Sequence, residues 1–339
     1  MTGKKRSSRS LAIASLLLLL LLIVLSIGMG KYQLSPGQVI QVLLSPIRGL
    51  SDSISEMDQR VVFFVRLPRV LAAVLIGAAL ALSGATYQSL FNNPLVSPDI
   101  LGVSSGAALG AAVGILLSFH AVGISALAFV VGAVAVFLSI QMARVIGNRS
   151  NLSLVLSGII VGSLMNSLFG FMKYIADPFT ELPSITYWTM GSLSYVRWNE
   201  LLILTVTVIA CSIVLYRLSW WLNIASLGSE QAQILGADIG KIRGLAIIAA
   251  SLLTATSVAV AGNIGWIGLV VPHLSRLMVG PNNRKLIPQT FLLGSIFLLL
   301  VDTLTRIISF EEMPLSILTG IVGAPFYAYL LYKQRRTVL

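Results

Sequence analysis

Few side chains in this 339-residue chain carry chemistry, and their spacing narrows what that chemistry can be. Asp302 is the one clear carboxylate set deep in an apolar run, and Arg306 follows one helical turn later as a natural i,i+4 partner. Under the topology derived below, Arg306 shares the outer surface with Arg66 and Arg69 of the segment Arg66-Leu67-Pro68-Arg69, three cations where few are favoured. Two readings stay open for them: a dock for an acidic partner, or long cationic side chains snorkelling at the membrane interface. His120 and His273 have no helical neighbour at ligand spacing, so a metal site would need distant contributors and none is expected. The stretch from Gly236 to Ile242 has one spacer too few for a Walker loop and lacks the Ser or Thr that would hold magnesium. Cys211 is a lone cysteine in an apolar run, which leaves no intramolecular disulfide and no cysteine metal site. With no paired His, Asp or Ser constellation, no catalytic residue is assigned and a transport role is expected rather than an enzyme.

Composition sets the elements that must position these residues. Hydrophobic residues make up 56%, charged residues 10%, and the mean hydropathy is +0.92, which excludes an ordinary water-soluble globule. The apolar runs are continuous rather than alternating, so the expectation is an all-α polytopic membrane protein with about ten transmembrane helices, one domain over 1–339. The expected spans are 11–30, 67–90, one from near 101, 125–146, 152–175, 201–218, 245–262, a short broken one at 262–279, 287–308 and 316–332. Residues 31–66 are expected to be an outside loop with a short helix. The basic start resembles a signal peptide, but its long apolar part and missing cleavage motif favour a retained first span.

A net charge of +11 would suit nucleic acid, yet the basic residues are scattered through short loops and form no stripe. Ten spans with both termini cytoplasmic place most of them inside, from Lys4, Lys5, Arg6 and Arg9 to Lys333, Arg335 and Arg336, and leave only Asp99, Glu230 and Asp238 among inside carboxylates. No nucleic acid partner is expected; the lipid bilayer is.

Two spans carry more than apolar bulk. Gly102, Gly106, Gly110 and Gly114 give the third a smooth face for close helix packing. The fifth holds Ser153, Ser157, Ser163, Asn166 and Ser167 with Gly158 and Gly162, so it faces either a wet cavity or a partner helix. Between spans six and seven lies a polar island, 223–243, where Ser229 is a candidate cap, Ala232, Ile234 and Leu235 supply apolar contacts, Gly236 is a stop and Asp238 opens a second short turn. Two short helices suit a partner protein; the alternative is an amphipathic connector on lipid headgroups.

The chain resembles the FecCD-type permeases of ATP-binding-cassette importers, which serve iron-siderophores, haem and cobalamin. The resemblance rests on VRLPRVLAAVLIGAALALSGATYQSLFNNPLVSPDILGVSSGAALGA from Val65, LGSEQAQILGADI from Leu227, VAVAGNIGWIGLVVPHLSRLMVG from Val258, and DTLTR with EEMPLSILTGIVGAPFYAYLL near the end. It implies the fold of the cobalamin-importer permease (the type II importers), in a bacterial or archaeal cell membrane. It further implies a homodimer around one path, two cytoplasmic ATPase subunits that hold ATP and Mg, an extracytoplasmic substrate-binding protein, and no cofactor on this chain. By the same resemblance Arg66, Arg69 and Arg306 meet glutamates of the binding protein. Leu227, Gly228, Glu230, Ala232, Leu235 and Gly236 belong to two short helices seated in the ATPase, Asn151 and Leu152 to the cytoplasmic gate, and Ser163 and Asn166 to the path. Ferric siderophore is the first expected cargo, then haem or cobalamin, with molybdate-type oxyanions within range. The rival, an ion-coupled secondary transporter, is disfavoured by the scarcity of buried carboxylates.

Overall fold

The structure is a computed structural model that describes residues 8–48, 54–146, 151–308 and 313–338. The expected charges at Lys4, Lys5, Arg6, Asp52, Arg149, Glu311 and Glu312 lie outside the described residues. The chain runs α1 (Ser8–Gly28), α2 (Pro36–Arg48), α3 (Glu56–Arg60), a π-helical turn (Val61–Arg66), α4 (Leu67–Leu90), α5 (Val103–Leu116), α6 (Ala121–Val145) and α7 (Asn151–Ile175). It continues through α8 (Glu181–Met190), α9 (Trp198–Ala225), α10 (Ser229–Ile234), α11 (Ile239–Ala261), α12 (Ile267–Val279), α13 (Asn283–Ile308) and α14 (Leu315–Val338). Seven helices among the described residues are long and apolar enough to cross a membrane, and α5, α12 and the described part of α14 are shorter apolar helices in the remaining expected positions.

Two boundaries near the candidate site residues differ from expectation, and a third feature agrees with it. The second span does not begin at Leu67: α3, the π turn and α4 run on as one helix over Glu56–Leu90, and the wider π winding just before Pro68 accommodates its missing N–H, with Trp198 Nε1 donating to the Phe63 carbonyl (3.1 Å). Arg66 is therefore a helical residue rather than the end of a loop, and Arg69 is helical as expected. The seventh span begins at Ile239 rather than near 245, so the turn opened by Asp238 is the first turn of α11 and not a separate short helix. The eighth span is broken as expected: residues Gly262 to Trp266 are not helical, Trp266 has φ +71°, and α12 begins only at Ile267.

The core is built around α4, whose buried face is rich in Ala and Gly and contacts α11, α12, α13 and α9. In lipid the driving force for such contacts is close packing rather than escape from water, and small residues let backbones approach. A Cβ on Gly77 would collide with the Gly294 carbonyl oxygen of α13, and a Cβ on Gly294 with that of Gly77. Gly84 meets Gly268 of α12 in the same way. The glycine face of α5 does what its spacing predicts, with Gly106 and Gly110 seated against the α6 backbone at Val131 and Leu127.

Candidate functional site

Chemistry-bearing residues gather at the two ends of the α4–α13 pair. At the end where α4 begins and α13 finishes, Asp302 is fully buried and accepts from Arg69 Nε (2.8 Å), while Arg306 Nε stands 3.1 Å from its other oxygen. Arg306 also donates to the Ser26 carbonyl (3.1 Å), the Met29 carbonyl (3.2 Å) and Ser26 Oγ (2.6 Å) at the end of α1. Arg66 donates to the carbonyls of Ile27 (2.6 Å), Gly28 (3.2 Å) and Tyr32. Two guanidiniums share one carboxylate, and the third caps the carbonyls that α1 leaves open where it stops.

The three arginines are thus brought together, turned inward and buried, Arg66 and Arg69 being 7% and 8% exposed, instead of reaching into headgroups. Sequence reasoning found the Arg306 partner but missed Arg69–Asp302, which spans 233 residues. Arg306 also borders a cavity of about 510 Å³ lined by Gly28, Met29, Lys31, Leu34 and Ile308. Nearby, Tyr32 donates to Asp58 (2.6 Å), a bond that raises the phenol above its ordinary pKa.

At the opposite end, the polar island is one short helix, α10, between α9 and α11. The expected cap Ser229 is instead the first residue of α10; Gly228 takes the cap position at φ +107°, with no side-chain cap bond. The side chains of Ser229 and Glu230 lie outside those described. Ala232 is fully buried beneath α10, whereas Leu227, Ile234 and Leu235 stand 59%, 85% and 56% exposed. Gly236 is the stop, at φ +77°, with nothing near its missing side chain, so backbone conformation alone requires glycine there. Asp238 caps α11 by accepting from Lys241 N (3.1 Å) and pairs with Lys241 Nζ (3.0 Å); these contacts, the backbone N–H first, hold its carboxyl below the usual range.

A third group lies along α7. Ser153, Ser157 and Gly158 face inward, and a Cβ on Gly158 would strike the Ile100 carbonyl. Ser163, Asn166 and Ser167 point away from α5 and α6 and are exposed. Asn151 donates to the Leu90 carbonyl (3.1 Å) and Leu152 is 66% exposed. Both border a cavity of about 1000 Å³ whose other walls include Gly228, Gln233, Gly240 and Arg243, so the start of α7 and the polar island share one opening. The two histidines do not join any of these groups; His273 is buried edge-on to Tyr327, with ring centroids 6.1 Å apart.

Buried ionic packing at one end, an exposed apolar knob at the other and a polar face on a spanning helix are the features of an all-helical, multi-pass membrane protein. The model of the FecCD transport family matches residues 18–333, and the chain belongs to that family. It is 42% identical over 312 residues to the molybdate import system permease protein MolB of Haemophilus influenzae, covering 92% of each chain. It is 40% identical over 275 residues to a probable iron chelatin transport system permease protein of Helicobacter pylori, covering 81% of this chain and 83% of that one. The solved structure of an inward-facing conformation of a putative metal-chelate type ABC transporter is similar, with TM-score 0.87 and 39% identity over 96% of this chain and 99% of that chain. The protein is therefore a permease of the ABC importer type.

Proposed function

We propose that two copies of this chain enclose one path and import a metal chelate, ferric siderophore first. ATP with Mg is held and hydrolysed by two separate cytoplasmic subunits, and a substrate-binding protein delivers cargo from outside. Both termini face the cytoplasm of a bacterial or archaeal cell. The observation that carries the reading is α7: Ser163, Asn166 and Ser167 lie exposed midway along a spanning helix whose other face is packed. Bare to lipid, such a polar stripe would be costly, so a wet path or a second copy covers it. Its hydroxyls and amide would grip cargo weakly, which favours release.

In this reading the positive charge of Arg66, Arg69 and Arg306, held just beneath the outer surface, draws acidic groups of the binding protein to it. Leu227, Gly228, Glu230, Ala232, Leu235 and Gly236 form the ATPase seat, and Asn151 and Leu152 gate the inner end. The identity to MolB favours one second reading, an oxyanion such as molybdate as cargo. Uptake into proteoliposomes containing the permease, its ATPase and its binding protein, offered ferric siderophore, molybdate, haem and cobalamin in parallel, decides among them. ATP-dependent uptake of ferric siderophore alone is expected; molybdate alone would install the second reading, and uptake driven by an ion gradient without ATP would overturn both.

A further inference from the structure

Three helix ends are tied together at the start of the polar island by a set of side-chain bonds that the function above does not use. Asn223, one turn from the end of α9, accepts at Oδ1 from the backbone N–H of Asn283 (2.8 Å) and from its Nδ2 (3.0 Å). Its own Nδ2 donates to Asn282 Oδ1 (3.1 Å). Asn283 opens α13, is 4% exposed, and accepts at Oδ1 from Ser89 (2.8 Å) in the last turn of α4. A second strand of contact runs beside the first: Asn92 Nδ2 donates to the Ser226 carbonyl (3.2 Å), and Arg284 lies over the Trp220 ring, 5.2 Å from its centroid. Every hydrogen-bonding atom of the Asn223 amide group except one N–H is thus placed between α9 and the start of α13.

The α4–α13 pair that receives these bonds has little freedom to shear. Gly77 and Gly294 meet backbone to backbone in its middle, Ser295 donates across to the Val74 carbonyl (2.9 Å), and Arg69 is bonded to Asp302 at its far end. A push on the island reaches the helices on either side of it, α9 and α11, and α9 is joined to the pair at this end through Asn223.

We infer that Asn223 is a positioning residue for energy coupling: it fastens the root of the ATPase seat to the α4–α13 strut, so that movement of the seat moves the arginine end. This rests on the importer reading of the preceding section. The amide suits the role because one side chain offers both acceptor and donor, and neither carries a charge that membrane depth would penalise.

The test uses the complete assembly of permease, ATPase and binding protein in proteoliposomes, measuring cargo imported per ATP hydrolysed together with the thermal midpoint of each variant. Asn223→Ala is expected to lower that ratio about fivefold or more, the size of a typical coupling between sites. Asn223→Asp, which keeps the acceptor toward Asn283, is expected to recover part of it. Asn223→Ala combined with Asn283→Ala is expected to lose less than the product of the single losses, because both act through one contact. A folded Asn223→Ala protein with the wild-type ratio, or losses that multiply, would overturn the inference alone. If the wild-type assembly shows no ATP-dependent import, the importer reading fails and the inference falls with it.

Discussion

The arginine end and the island end of the α4–α13 pair solve opposite problems with opposite materials. At the first, Asp302, Arg69, Arg306 and Arg66 satisfy one another and the open carbonyls of α1, and almost nothing of them is left in view. At the second, Ile234 is held out from the surface at the end of a six-residue helix capped by a glycine, and Leu227 and Leu235 stand exposed on either side of that helix. A buried ionic cluster is costly to break but fixed in geometry, whereas an exposed apolar knob costs little to alter and gains its value only when something covers it. The contrast teaches that a mutational stability scan would find the first end and miss the second.

Asp302→Asn should give the largest destabilisation, on the order of 3–5 kcal/mol, because it leaves two buried guanidiniums without their shared carboxylate. The drop in thermal midpoint of the purified protein in detergent measures it, and a shift within error would mean that the cluster is not a structural anchor. Gly77→Val comes next at about 1–3 kcal/mol, the usual range for overpacking, since the added carbons meet the Gly294 backbone, which cannot step aside. The same assay applies, and an unchanged midpoint would show that the two helices are free to separate.

Asp238 should matter less and in a pH-dependent way. Its folded pKa is lowered, so its capping contribution is present above the ordinary carboxylate value of about 3.9 and fades as pH falls through the folded value. Amide exchange in the first turn of α11 should quicken over that acidic window in the native protein and show no such step in Asp238→Asn. The smallest stability effect, within about 0.5 kcal/mol, is expected for Leu235→Ser at an exposed position. That variant should nevertheless lower import per ATP sharply; unchanged import would return the island to a lipid-facing connector and dissolve the contrast.

What could be read in the sequence follows the range of the interactions. The long apolar runs, the i,i+4 relation of Asp302 and Arg306, the glycine face of α5 and the stop at Gly236 are local, and the structure repeats them. Arg69–Asp302 and Asn223–Asn283 join residues 233 and 60 positions apart, and no spacing rule links them. The start of the second span is not legible at Leu67, because the polar stretch before it continues the helix back to Glu56 through a π turn that no local pattern announces. Ser229 is misleading: a serine beside a glycine looks like the cap, yet the positive φ needed at that corner gives the position to Gly228. The exposed stripe on α7 was visible as composition, but whether Ser163 and Asn166 lie on the free face depends on where α5 and α6 pack.

The π-helical turn at Val61–Arg66 has a consequence for how length is measured in this part of the chain. A wider turn holds one residue more than an α-helical turn would, and each residue of an α-helix rotates the chain by about 100°. Because the wide turn absorbs that residue, deleting one between Val61 and Phe64 would let the stretch relax to ordinary winding with α3 and α4 close to their present facing, whereas a deletion in the ordinary winding of α4 would turn everything before it, Glu56 and Asp58 included, by about 100°. The six residues are a store of slack, the one place in this long helix where a residue could be lost without redirecting Glu56 and Asp58.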